Sequence, residues 1–131
     1  MLFRSDHIEQ AHVPLLAPNE VVSFAVRYRC LAIGGAWRHA YEKMNETQRL
    51  AAQTFVRTLI GELANSPTLL ITGGTRYGIE GLVQAEAKKH GLPVLGTLVQ
   101  AIDAEAIDVH QLTHASIIAE SLYDKIGRAH V

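Results

Sequence analysis

The chain has 131 residues, 48% hydrophobic and 19% charged, enough apolar material for one domain with a buried core. Lys and Arg number 12 and Asp and Glu 13, so the net charge of -1 offers no basic excess for nucleic acid, and one cysteine excludes an internal disulfide framework. No apolar run reaches the roughly 20 residues of a bilayer span, and Arg4, Asp6, His7 and Glu9 interrupt any signal-like segment; the expectation is a cytoplasmic protein with no membrane partner.

In chain order, residues 1–19, with Pro14 and Pro18, read as an N-terminal arm or edge segment, and residues 20–124 as the domain itself. Val21 to Val26 is strand-like, and Tyr28 to Ile33 is the first clear strand, ending at Gly34-Gly35. The stretch Ala36 to Met44 exceeds the two to six residues usual for a strand-to-helix connection and reads as a binding loop. In it Arg38 can pair with phosphate, while Trp37 and Tyr41 either stack on a base or pack on the protein. Asn45 and Gln48 have the spacing of a capping box, opening a long helix whose apolar face is Ala52, Phe55, Val56, Leu59, Ile60 and Leu63. It ends near Asn65-Ser66-Pro67.

Thr68 to Thr72 is the next strand, followed by a glycine turn and a helix that buries Ile79, Leu82, Val83 and Ala87. Lys88, Lys89 and His90 suit the negative end of that helix, with Gly91 just past its end. Pro93 to Val99 is a strand, Asp103 to Val109 a short helical turn, and Ala115 to Ala119 a fourth strand. This alternation predicts an α/β fold, a three-layer Rossmann-like parallel sheet with helices on both faces.

The turn Thr72-Gly73-Gly74-Thr75-Arg76-Tyr77-Gly78-Ile79 carries the functional reading. The first amides of a helix have no partner within it and sit at the positive end of the peptide dipoles, so an anion is stabilised there. Gly73, Gly74 and Gly78 permit positive φ and a close approach, and Arg76 adds a cation. The spacing is neither the dinucleotide fingerprint nor a Walker A loop, which disfavours an ordinary dehydrogenase or ATPase. Sheets of this kind bind ligands outside the carboxyl ends of strands where strand order reverses, so Gly34 and Gly35 are expected to face the second glycine pair across one crevice. The candidate phosphate site is therefore Gly34, Gly35, Arg38, Thr72, Gly73, Gly74, Thr75, Arg76, Gly78 and Ile79. The competing reading is a tight turn with no ligand. Glu80 reads as a first-turn acid; aimed at a ligand, it would repel phosphate and suit a ribose hydroxyl.

Other constellations point elsewhere. His110 and His114 straddle a loop and a strand rather than sharing a helical face, so no metal or other cofactor is expected. Cys30 reads as a buried, inert thiol, and the nucleophile elbow of esterases is missing.

The segment Ile71 to Leu82, followed by a helix, Gly91 and the strand Val94-Leu95-Gly96-Thr97, resembles the second strand, glycine turn, helix and third strand of the SLOG superfamily. That superfamily includes the Lonely-Guy-type phosphoribohydrolases, long mislabelled lysine decarboxylases, DprA-like proteins and the nucleotide-sensing domains of TRPM channels. The resemblance spans roughly Tyr28 to Ala119. It implies a nucleotide or phosphorylated nucleotide derivative as ligand, with Gly73, Gly74, Thr75 and Gly78 as phosphate loop and Gly34 and Gly35 near the first-strand glycine. It also implies association into a homodimer, because relatives associate. The alternative it offers is a truncated phosphoribohydrolase cleaving the N-glycosidic bond of a nucleoside 5′-monophosphate. The Pro-Gly-Gly-x-Gly-Thr-x-x-Glu loop and the Met-His-Glu-Arg-Lys-like segment of those enzymes do not occur here, and Glu120 and Lys125 are assigned no chemistry. Residues 125–131 match an in-frame translation of a common short-read adapter, so a non-native tail on a truncated domain is expected; a native helical tail stopped by Gly127 is the other reading.

Overall fold

A computed structural model describes residues 13–34, 38–100 and 102–119. The tail at 125–131, Glu120, Gly35 and Trp37 lie outside the described residues. The elements are α1 (Pro18–Ala25), β1 (Arg29–Ala32), α2 (Arg38–Glu42), α3 (Glu46–Leu63), β2 (Thr68–Thr72), α4 (Gly78–Lys89), β3 (Val94–Val99), a 3-10 turn (Ala104–Ala106) and β4 (His114–Ala119). The strands form one parallel sheet in the order β1-β2-β3-β4. This is the Rossmann-like α/β arrangement that the alternation predicts.

The pleat sends alternate side chains to opposite faces, and each face has its own cover. Leu70, Val94, Leu98 and Ala115 point into the larger core, closed by Val56 and Ile60 of α3 and by Val83 and Ala87 of α4. Leu69 and Leu95 point to the other face, where Phe24 of α1 packs with Val21 and Ala25 beside it. Successive parallel strands stepping in one direction place their crossover helices on one face, which is where α3 and α4 lie.

Val21 to Val26 is helix rather than strand. Pro18 stands at its first position, where a missing N–H costs nothing, and the Glu20 carboxylate accepts the Ala17 N–H at 3.0 Å. Burial of Val21, Phe24 and Ala25 at helical spacing then outweighs the β-branched composition. Upstream, Leu15 bridges Ala115, with Leu16 N–H donating to the Ala115 carbonyl at 2.8 Å and Ala115 N–H to the Pro14 carbonyl at 3.0 Å. The segment thus runs along the outer edge of β4.

The helix ends follow the sequence closely. Asn45 and Gln48 form the capping box, at 2.8 and 2.9 Å. Gly91, at φ 69°, ends α4: Gly91 N–H donates to the Lys88 carbonyl and Leu92 N–H to the Ala87 carbonyl, the doubly bonded glycine stop, with Leu92 buried behind it. Two residues depart from their expected places. Phe55 is 68% exposed, because the buried stripe of α3 is centred on Val56 and Ile60 and leaves Phe55 on its flank. Cys30 is exposed, not buried, because β1 is the outermost strand.

Candidate functional site

The sheet brings β1 and β2 side by side, with Ile33 N–H donating to the Ile71 carbonyl at 2.9 Å, so Gly34 and Gly73 leave neighbouring strands at the same end. The expected reversal of strand order is not there: among the described residues the order runs straight from β1 to β4. Gly34 is exposed and has open space where a side chain would be. Arg38 begins α2, so the stretch expected as a loop contains a short helix; Tyr41 in it lies 5.6 Å from the Arg49 guanidinium.

The glycine turn is held from below by a buried polar network. Gln84, fully buried on α4, is the residue the sequence reading passed over. Its Oε1 accepts the Thr72 hydroxyl at 2.6 Å, while its Nε2 donates to the Thr75 carbonyl at 2.9 Å and to Asp108 Oδ2 at 2.7 Å. Thr72 Oγ1 in turn accepts the Gly74 N–H at 3.1 Å. The connection between β3 and β4 completes the fixing: Arg76 N–H donates to the Ala106 carbonyl, Asp108 N–H to the Gly74 carbonyl, and the Arg76 guanidinium to the Ile107 carbonyl at 3.2 Å. Burial raises the Asp108 carboxyl above its ordinary range, against the lowering effect of the Gln84 hydrogen bond and of Arg76, His110 and Lys88.

Glu80 closes the turn from above. Its Oε2 accepts the Thr75 N–H at 3.3 Å and the Thr75 hydroxyl at 3.5 Å, both long for such bonds. A methyl group on Gly73 would sit 2.5 and 2.7 Å from the two carboxylate oxygens, so Gly73 is the floor of a seat filled by an oxyanion of the chain itself. Gly74, at φ 79°, has its missing side chain replaced by Leu98 Cδ2, 2.6 Å from where a Cβ would be.

The donors therefore fall into two groups. Those of Gly74 and Arg76 are taken by internal partners at 3.1 and 2.9 Å, and that of Thr75 by the Glu80 carboxylate at 3.3 Å. Beyond them α4 begins at Gly78, φ 63°, with no side-chain cap from Tyr77, and the Gly78 and Ile79 amides have no partner among the described residues. The residues brought together are Thr72, Gly73, Gly74, Thr75, Arg76, Gly78 and Ile79, with Gly34 one strand away.

A cavity of about 520 Å³ lies at the opposite, amino end of the strands, lined by Tyr28, Lys88, Leu92, His110 and Thr113 among others. It is remote from the turn, and its Lys88 ammonium is already bound to the His110 carbonyl at 2.6 Å. His114 packs its ring 4.2 Å from Phe24, and burial, helped by Arg27, lowers its pKa. Among the described residues no cluster of His, Cys, Asp or Glu is placed to hold a metal, and no helix is long and apolar enough to cross a membrane. No protein-family model, no curated protein and no solved structure matches the chain.

Proposed function

We propose that this chain binds a nucleotide or phosphorylated nucleotide derivative over the turn between β2 and α4, with a phosphoryl group displacing the Glu80 carboxylate. The observation that carries the reading is the seat itself. A carboxylate rests on Gly73 beside the Thr75 N–H and hydroxyl, through bonds of 3.3 and 3.5 Å, next to a helix start whose first amides are open. A terminal phosphoryl group brings three acceptor oxygens where the carboxylate brings two, and the helix dipole favours a dianion over a single carboxylate. Arg76, exposed on the same turn, supplies the pairing cation.

Calorimetric titration with a panel of nucleoside mono- and diphosphates tests this. Glu80→Gln removes both the competitor and the repulsion, so affinity should rise about tenfold; Arg76→Ala should lower it by a similar factor, the scale of one charge-assisted contact. A fall in affinity in Glu80→Gln would mean that the glutamate takes a ribose hydroxyl instead. A second reading has its own support: the Gly74, Thr75 and Arg76 amides all have internal partners, as in a turn that ties β2 to the β3–β4 connection and takes no ligand. Absence of binding to the wild type and to Glu80→Gln alike would establish that reading.

A further inference from the structure

We propose that Asp108 regulates the site on the glycine turn: its carboxylate competes with a bound phosphoryl group for the Arg76 cation, so that binding is coupled to uptake of a proton by Asp108. The inference rests on the reading of that turn as a phosphoryl seat. Residues 106–108 run antiparallel beside the turn, with Arg76 N–H on the Ala106 carbonyl at 2.9 Å, Asp108 N–H on the Gly74 carbonyl at 2.9 Å and a bridge between Thr75 and Ile107. The same pairing brings the Asp108 side chain against α4, where Oδ2 accepts Gln84 Nε2 at 2.7 Å. That Gln84 nitrogen also donates to the Thr75 carbonyl, so a single amide links Asp108 to the middle of the turn.

Arg76 is the shared partner. Its guanidinium donates to the Ile107 carbonyl at 3.2 Å, on the Asp108 side of the turn, and its charge favours the ionised form of Asp108. Lys88 from α4 and His110 from the same connection act in the same sense, and these three are the charged or titratable groups that act on Asp108 among the described residues. Burial works against them. The ionised form is therefore the one that depends on Arg76. A phosphoryl group on the turn adds negative charge nearby and draws on the same cation, which removes support from the Asp108 carboxylate and favours its neutral form. By linkage, the chain with Asp108 protonated must hold the anion more tightly.

A purely structural role would need only an acceptor for Gln84 Nε2, which an amide oxygen supplies. A carboxylate adds a second internal anion beside the turn. Glu80 occupies the Thr75 donors and Asp108 engages the Arg76 charge, so an incoming phosphoryl group has two carboxylates to outcompete. The proton that neutralises Asp108 comes from solvent, and the neutral acid still offers Gln84 Nε2 its carbonyl oxygen.

Sulfate, exchanged for chloride at constant ionic strength, is the probe, because it stays a dianion while carboxyls titrate. The Glu80→Gln background removes the other titrating competitor. In that background, sulfate affinity, followed by NMR of the turn amides, should rise as pH falls through the Asp108 pKa. Adding Asp108→Asn should raise affinity about fivefold above that pKa, the lower end of usual coupling between sites, and remove the rise. Lys88 and His110 are common to both proteins and cancel in the comparison. Carbon NMR of the wild type needs no variant: saturating sulfate should move the Asp108 carboxyl titration to higher pH. Sulfate binding with the same pH profile in the single and double variants overturns the regulation and leaves the phosphoryl seat standing; so does an Asp108 titration that saturating sulfate does not move. Absence of sulfate binding in Glu80→Gln overturns the proposal together with the seat it rests on.

Discussion

Helices α3 and α4 each lie on the connection between two neighbouring strands and cover the same face of the sheet, yet their first turns are completed by opposite means. At α3 the two partners are three residues apart: Asn45 accepts the Gln48 N–H and Gln48 returns the favour to the Asn45 N–H. At α4 the preceding residue, Tyr77, gives no side-chain cap, and the turn is held by contacts from far along the chain, Ile107 for Arg76 and Asp108 for Gln84. A local cap makes a helix end self-sufficient. A turn fixed from a distance can hold its shape while leaving helix amides open, which is the arrangement a binding turn needs.

Substitution at each start measures how far the two differ. Gly74→Val should be the most damaging change, because a branched side chain would have to adopt φ 79° and displace Leu98. The left-handed conformation and the overpacking together cost about 2–4 kcal/mol. Urea denaturation should show that loss, with nucleotide affinity lost in the same variant. Stability within error of the wild type would mean that the turn is not shaped by Gly74.

At the other start, Asn45→Ala removes one cap and should cost about 1 kcal/mol. The same titration should find its nucleotide affinity unchanged, since among the described residues the hydrogen bonds of the cap stay within its own first turn. A matching fall in affinity would erase the distinction between the two helix starts.

What could be read from the sequence follows the same division. The capping box at Asn45, the glycine stop at Gly91 and the span Thr68 to Thr72 were legible because their determinants lie within a few residues of one another. The strand-like look of Val21 to Val26 misled because β-branched Val and aromatic Phe dominate there; the deciding contacts, Phe24 on Leu69 and Leu95, are long-range. Phe55 misled similarly, since helical spacing gives the width of an apolar stripe and not which flank the sheet covers. At the turn the glycines and Arg76 were visible, but the internal partners of Gly74 and Arg76 were not. Gln84 was the available signal: a polar residue between Val83 and Ala87, on the face that α4 buries, must find partners there.

The finest difference between the two starts is electrostatic. The α3 cap consists of two amide side chains and does not titrate, whereas the network under the α4 turn includes Asp108, whose carboxyl burial holds above its ordinary 3.8. A carboxyl with a raised folded-state pKa binds its proton more tightly folded than unfolded. Its contribution is fully present below the unfolded value and is lost as pH rises through the folded one. Asp108→Asn keeps an oxygen for the Gln84 donor without that ionisation, so denaturation midpoints of variant and wild type should agree in acid. They should separate in favour of the variant as pH rises through the Asp108 pKa, with Asn45→Ala showing a pH-independent offset alongside. A deficit in Asp108→Asn that is constant with pH would show that Asp108 acts by shape alone, and that the two helix starts differ in connectivity but not in charge.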